Sequence, residues 1–131
     1  MPIPFLPGVR KIAVVGASRN PEKWGYKIVK RLMEIEDIKV YPINPKADEI
    51  LGLKAYPDLR SLPEVPDMLI TVVPPEVTEN VVKEALLLGV KIIWMQPRSG
   101  NKKIAKIVKR ARAEVFLDKC ILRSLALGKI A

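Results

Sequence analysis

The sequence predicts an α/β fold built on a doubly wound, mostly parallel sheet, and three observations carry that prediction. Apolar runs of strand length recur, such as Ile12-Ala13-Val14-Val15 and Met68 to Val73, the latter interrupted only by Thr71. Segments with apolar residues at helical spacing lie between them. The runs end abruptly at glycine, asparagine or proline, as at Gly16, Asn44-Pro45, Pro74-Pro75 and Gln96-Pro97. Buried strands alternating with helices form a parallel sheet covered on both faces.

The elements follow in order. Residues 11–15 are the first strand, and a helix over 24–36 turns Ile28, Val29, Leu32, Met33 and Ile35 to one face. Lys39 to Ile43 is the second strand, stopped by Asn44-Pro45 because the residue before proline leans to extended geometry. Leu53-Lys54-Ala55-Tyr56 before Pro57 reads as a short edge strand. Arg60 to Asp67 holds two prolines and reads as a loop. After the strand Met68 to Val73, a helix over 76–88 buries Val77, Val81, Val82, Ala85 and Leu86 and stops at Gly89, the usual residue past a helix end. Val90 to Met95 is the next strand. A helix over 101–113 turns Ile104, Ile107, Val108 and Ala111 inward and its lysines outward. Glu114 to Leu117 is the last strand, and a short helix follows Cys120.

Right-handed crossovers favour the strand order 3-2-1-4-5-6, with the edge strand as 3. The order reverses between strands 1 and 4. The loops beginning at Gly16 and Pro74 then flank a crevice at the C-terminal edge of the sheet, where open α/β sheets hold ligands.

Composition excludes much. At 131 residues and 49% hydrophobic, the chain reads as one domain, 1–131, with a single core. No apolar stretch approaches the ~18 residues that span a bilayer, and the proline-broken start is unlike a secretory signal. With no histidine and one cysteine, no Ser-His-Asp or Cys-His constellation and no His- or Cys-based metal cage is available. No catalytic residue and no metal ligand is expected. The net charge of +9 sits almost wholly in residues 98–131, which hold 10 basic and 2 acidic side chains. A basic quarter attracts polyanions, but no aromatic platform interleaves it, which weakens a nucleic-acid reading. High charge, 12 prolines and few amides hint at a thermophilic source.

The candidate binding residues cluster at the strand ends. Gly16-Ala17-Ser18 lets a ligand approach the backbone before a helix N-terminus, where N–H groups and positive potential meet phosphate. It is not the dinucleotide fingerprint, since Ser18 stands at the second glycine and Asn20-Pro21 falls near the third. Arg19 and Lys23 are placed to neutralise pyrophosphate. After strand 2, Asn44-Pro45-Lys46 stands where an NAD enzyme carries an acid for the ribose, which argues against NAD. Lys46 favours an extra phosphate. Pro74 opens a helix and lines the crevice with backbone, and Gln96 offers a polar contact to ligand amides. Cys120 reads first as a packing residue; whether it is reactive stays open.

The series Val15-Gly16-Ala17-Ser18-x-Asn20-Pro21, Val40-Tyr41-Pro42-Ile43-Asn44-Pro45, Leu51-Gly52-x-x-Ala55-Tyr56-Pro57 and Ile93-Trp94-Met95-Gln96, extended by Asp118-Lys119-Cys120, resembles the small stand-alone CoA-binding proteins. These in turn resemble the CoA-binding domain of succinyl-CoA synthetase α subunits. The resemblance implies a Rossmann-like domain holding coenzyme A or acyl-CoA, with Gly16, Ala17 and Ser18 near the phosphates. It places Asn44 and Pro45 by the adenosine, and Pro74 and Gln96 farther along the ligand. Ligase relatives use a phosphorylated histidine, which this chain lacks.

The expectation is a non-catalytic, cytoplasmic CoA- or acyl-CoA-binding module. Two alternatives stand beside it: an NAD(P)- or nucleotide-binding regulatory or redox protein, and a nucleic-acid or protein interaction module using the basic quarter. No membrane partner is expected, and a protein partner or homo-oligomer is left open.

Overall fold

The computed structural model describes residues 2–131. Its centre is a five-stranded parallel sheet of β1 (Lys11–Val15), β2 (Lys39–Ile43), β5 (Met68–Thr71), β6 (Ile92–Met95) and β7 (Glu114–Leu117), in the order β2-β1-β5-β6-β7. This is the Rossmann-like arrangement expected, reversing between β1 and β5. β1 pairs with both neighbours in simple register, Ala13 lying between Tyr41 and Leu69.

Side chains alternate across the sheet, so each strand feeds two cores. Ile12, Val14, Met68, Ile70 and Trp94 pack under α1 (Trp24–Met33) and α4 (Ile121–Leu127). Ala13, Val15, Leu69, Ile93 and Met95 pack under α2 (Pro75–Leu88) and α3 (Lys102–Arg110). Helices on both faces follow directly from strands that are apolar on both faces. Asn101 caps α3, its side chain accepting from the Ile104 N–H at 2.9 Å, and Gly89 ends α2 at φ 97°.

Besides α3, which stops at Arg110 instead of 113 and buries Ala105 where Ala111 was expected, Ala111 being exposed past its end, the structure departs from the expected elements most clearly in three places. The edge strand over 53–56 forms only in part. Leu53–Lys54 (β4) instead pairs antiparallel with Glu49–Ile50 (β3), and only Tyr56 reaches the main sheet, in one parallel bridge to Ile43. Pro57 offers no N–H to extend that ladder. Second, α1 ends at Met33 instead of 36, because the chain turns through Asp37 at φ 66° to reach β2. Third, α2 turns Val82 and Ala85 inward as expected, but at its start Thr78 takes the buried place and Val77 is 43% exposed.

Candidate functional site

The C-terminal ends of the five strands carry two cavities separated by the turn after β5. The smaller, of about 290 Å³, is lined by Val15, Gly16, Ile43, Asn44, Pro45, Leu59 and Val77 among others. The larger, of about 680 Å³, is lined by Trp24, Val72, Pro74, Gln96, Pro97 and Cys120 among others. Val73 borders both.

Gly16 sits at φ 99°, and a Cβ there would lie 3.1 Å from Val73 Cγ1 and 3.2 Å from the Val72 carbonyl carbon. A side chain would therefore wedge β1 from the turn that divides the cavities. Gly25 is tighter: its Cβ would fall 1.9 Å from the Gly16 carbonyl oxygen. The start of α1 thus rests directly on the Gly16 loop. No side chain caps α1, whose N-cap is Lys23, so first-turn N–H groups stay available to an anion.

The loop between them is held by short side-chain turns. The Asn20 N–H donates to Ser18 Oγ at 3.0 Å, and the Glu22 N–H donates to Asn20 Oδ1 at 3.0 Å. The Ser18 hydroxyl, accepting that bond, keeps its own proton to donate. Arg19 is exposed, and its Nε donates to the Glu49 carbonyl at 2.8 Å, tying the loop to the β3–β4 hairpin. Ala17 is 2% exposed and packs in the α1 core, leaving its backbone as the part that faces the loop.

Asn44 joins two strand ends. Its Nδ2 donates to the Ala17 carbonyl at 2.9 Å, and its Oδ1 accepts the Lys46 N–H at 2.8 Å. An aspartate there would lose the first bond. Pro45 and Lys46 are exposed beside it. Across the crevice, Pro74 is exposed at the N-cap of α2.

Gln96 is 4% exposed, and its Oε1 accepts both the Trp94 indole N–H at 3.0 Å and the Ile121 N–H at 2.7 Å. Its carbonyl therefore anchors α4. Its Nε2 donates to Cys120 Sγ at 3.7 Å on the wall of the larger cavity. Of the ten candidates, Gly16, Asn44 and Pro45 line the smaller cavity and Pro74 and Gln96 the larger. Ala17, Ser18, Arg19, Lys23 and Lys46 line neither, standing on the two loops at the same edge.

Sequence reasoning missed four contributors. Trp24 and Gly25 fall at the start of α1, and a glycine nine residues after Gly16 was the available signal. The other two are the buried hydroxyls of Thr78 and Ser99, which meet Thr71. Ser99 Oγ lies 2.8 Å from Thr71 Oγ1, 3.0 Å from Thr78 Oγ1 and 2.7 Å from the Val73 carbonyl. This cluster clamps the turn dividing the cavities.

The family model described as CoA binding domain matches residues 10–126. The chain belongs to this CoA-binding domain family. It is 42% identical over 82 residues to the α subunit of the ADP-forming acetate–CoA ligase II of Pyrococcus furiosus, covering 63% of this chain and 18% of the ligase subunit. Against the ADP-forming acetate–CoA ligase of Methanocaldococcus jannaschii the identity is 35% over 120 residues, covering 86% of this chain and 17% of that protein. The chain thus spans less than a fifth of the length of these ligases. It also superposes on the structure of a conserved hypothetical protein from Pyrococcus furiosus with a TM-score of 0.81 and 43% identity, covering 88% of this chain and 98% of that one. Among the described residues, no helix is long and apolar enough to cross a membrane.

Proposed function

We propose that the chain binds coenzyme A or acyl-CoA across the two cavities and does no chemistry on it. The observation that carries this reading is the fit between CoA and the C-terminal edge. CoA offers phosphates, a flat base and a long arm; the edge offers cations, a small apolar cavity and a larger one beyond it. Arg19, Lys23 and Lys46 have no carboxylate within ion-pairing reach among the described residues, so their charge is available to phosphate.

In this reading the Gly16–Ser18 backbone and the uncapped start of α1 cradle the pyrophosphate, with Ser18 donating its hydroxyl proton. The adenosine lies over Asn44 and Pro45 beside the smaller cavity, and Lys46 meets the 3′-phosphate. The arm runs along the rim at Pro74, its amides within reach of water, and only its sulfur end reaches the larger cavity by Gln96. Charge-assisted contacts of ~1.5–3 kcal/mol each, less where exposed, support binding in the micromolar range. A cytoplasmic location, where CoA thioesters are used, accords with this reading.

The chain has no histidine, so the crevice offers none to phosphorylate, and the two carboxylates on the smaller cavity are already engaged, Glu84 by Arg60 at 3.0 Å and Asp58 by the Ser61 hydroxyl and N–H at 2.7 and 2.9 Å. The reading is therefore of a carrier or sensor. Calorimetry with CoA, dephospho-CoA and NADP tests it. CoA should bind, dephospho-CoA more weakly by the loss of the Lys46 contact, and NADP more weakly still. Absence of heat and of thermal shift with CoA sinks the proposal.

A further inference from the structure

We infer that the larger cavity is an acyl pocket, so that the ligand is a CoA thioester whose acyl group packs against the Trp24 indole. This rests on the reading of the crevice as a CoA site and says which form of CoA it takes. The chain has two tryptophans: Trp94 is fully buried, whereas Trp24 is 56% exposed. Trp24 lines the larger cavity opposite Val72, Val73, Pro74 and Pro97. Lys27 Nζ lies 4.9 Å from its ring centroid, and the ring still leaves a broad apolar surface to water at the cavity lip. Isolated exposed apolar residues are ordinary; an exposed indole beside Val72, Val73, Pro74 and Pro97 in a mostly apolar cavity is a surface suited to an apolar ligand group.

The polar capacity of this cavity decides what fills it: Arg98, exposed at the rim, is its one charged lining residue, and the polar side chains farther in are largely engaged. The Ser99 hydroxyl is spent in its cluster with Thr71, Thr78 and the Val73 carbonyl. The Gln96 carbonyl already accepts from Trp94 and Ile121. A pantetheine arm brings two amides and a hydroxyl, which need partners when buried. An alkyl or aryl acyl group needs only apolar walls. The second N–H of the Gln96 carboxamide remains to meet one carbonyl, and a thioester has one. At about 680 Å³ the cavity lies within the range of small-molecule sites. It shares the Val73 wall with the smaller cavity at the same edge of the sheet.

The test is a calorimetric series on the full chain with CoA, acetyl-CoA, butyryl-CoA and hexanoyl-CoA. Each buried methylene should tighten binding up to roughly fourfold until the cavity is full, giving butyryl-CoA an advantage of at least about tenfold over CoA. Trp24→Ala should collapse that ratio toward one, and Trp24→Phe should keep part of it. Tryptophan emission of the wild-type chain should shift further to the blue with hexanoyl-CoA than with CoA. Equal affinity for CoA and all three thioesters overturns the inference while leaving the CoA reading intact. So does a Trp24→Ala variant that weakens every ligand by the same factor. If none of the four binds, the CoA reading itself falls and takes this one with it.

Discussion

At the N-terminal edge of the sheet, Lys11 and Lys39 close on the Glu64 carboxylate at 2.6 and 3.4 Å. At the C-terminal edge, Lys23, Lys46 and Arg98 form no ion pair among the described residues. Glu64 also accepts the Tyr41 hydroxyl, and the hydrogen bond from Lys11, then that from Tyr41, hold its pKa down to about 2. Asp67 accepts the backbone N–H groups of Arg10 and Lys11, both at 2.9 Å, so even the backbone is satisfied there. Below β1 and β2 the lysines are answered internally, whereas the loops after β1, β2 and β6 leave cations, helix N–H groups and cavity walls open, with the Arg60–Glu84 pair at 3.0 Å beside the smaller cavity as the exception. Lysine is the same residue at both. What differs is the company the fold gives it, and that difference points to ligand binding at one edge and stability at the other.

The sharpest way to break this contrast is Gly25→Ala. Its Cβ cannot coexist with the Gly16 carbonyl, so α1 must lift from the loop. Expected are a loss of CoA binding and a destabilisation of about 3 kcal/mol, measured by calorimetry and denaturant unfolding. Wild-type affinity in that variant would show that the α1–Gly16 contact has no part in the site. Asn44→Asp comes next: it removes the bond to Ala17 and puts an anion beside the phosphates. It should weaken CoA by more than about tenfold while costing about 1 kcal/mol of stability. Lys46→Glu should weaken CoA by up to about tenfold and dephospho-CoA by less, with the melting temperature unchanged.

The smallest effect belongs to the opposite edge. Glu64 titrates below its ordinary 4.5 in the folded chain. Its contribution is therefore fully present above that value and fades as pH falls toward about 2. Glu64→Gln should lower stability slightly at neutral pH and flatten the loss between pH 4.5 and 2, with CoA affinity unchanged. A change in CoA affinity here would erase the division of labour between the edges.

Much of this was legible in the sequence because buried parallel strands announce themselves. β1, β2 and β7 begin and end where the apolar runs and their stops place them. The β3–β4 hairpin was not legible, for a specific reason. Its two-residue turn puts Leu51 at φ 52° and Gly52 at φ 80°. Such turns are signalled by Asn-Gly or Asp-Gly, and a leucine in the left-handed region gives no warning. The hydroxyl cluster was invisible for another reason. Thr71, Thr78 and Ser99 are ordinary residues until the topology brings β5, α2 and the loop after β6 together. Val77 was expected inward because it fits a helical apolar stripe, but Thr78, bonded to the Val73 carbonyl at 3.1 Å, takes the buried position. The backbone of the candidate site was readable from its glycines and prolines; which side chains the fold had already engaged was not.

The position of β1 at the middle of the sheet has a kinetic corollary. That strand is complete by residue 15, yet one of its two ladders waits for Met68–Thr71, and the Asp67 carboxylate that caps its entry lies 57 residues beyond Arg10. Pairing of such wide sequence separation must bear a large loop-closure entropy before any contact rewards it, so folding should be slow for the chain's size. On the ribosome, β1 emerges with an apolar edge that stays unmatched until Met68–Thr71 follows. The arrival of β5 matches β1 but opens a new edge that waits in turn for β6 and then β7, so the hazard of stray pairing moves outward along the sheet as synthesis proceeds.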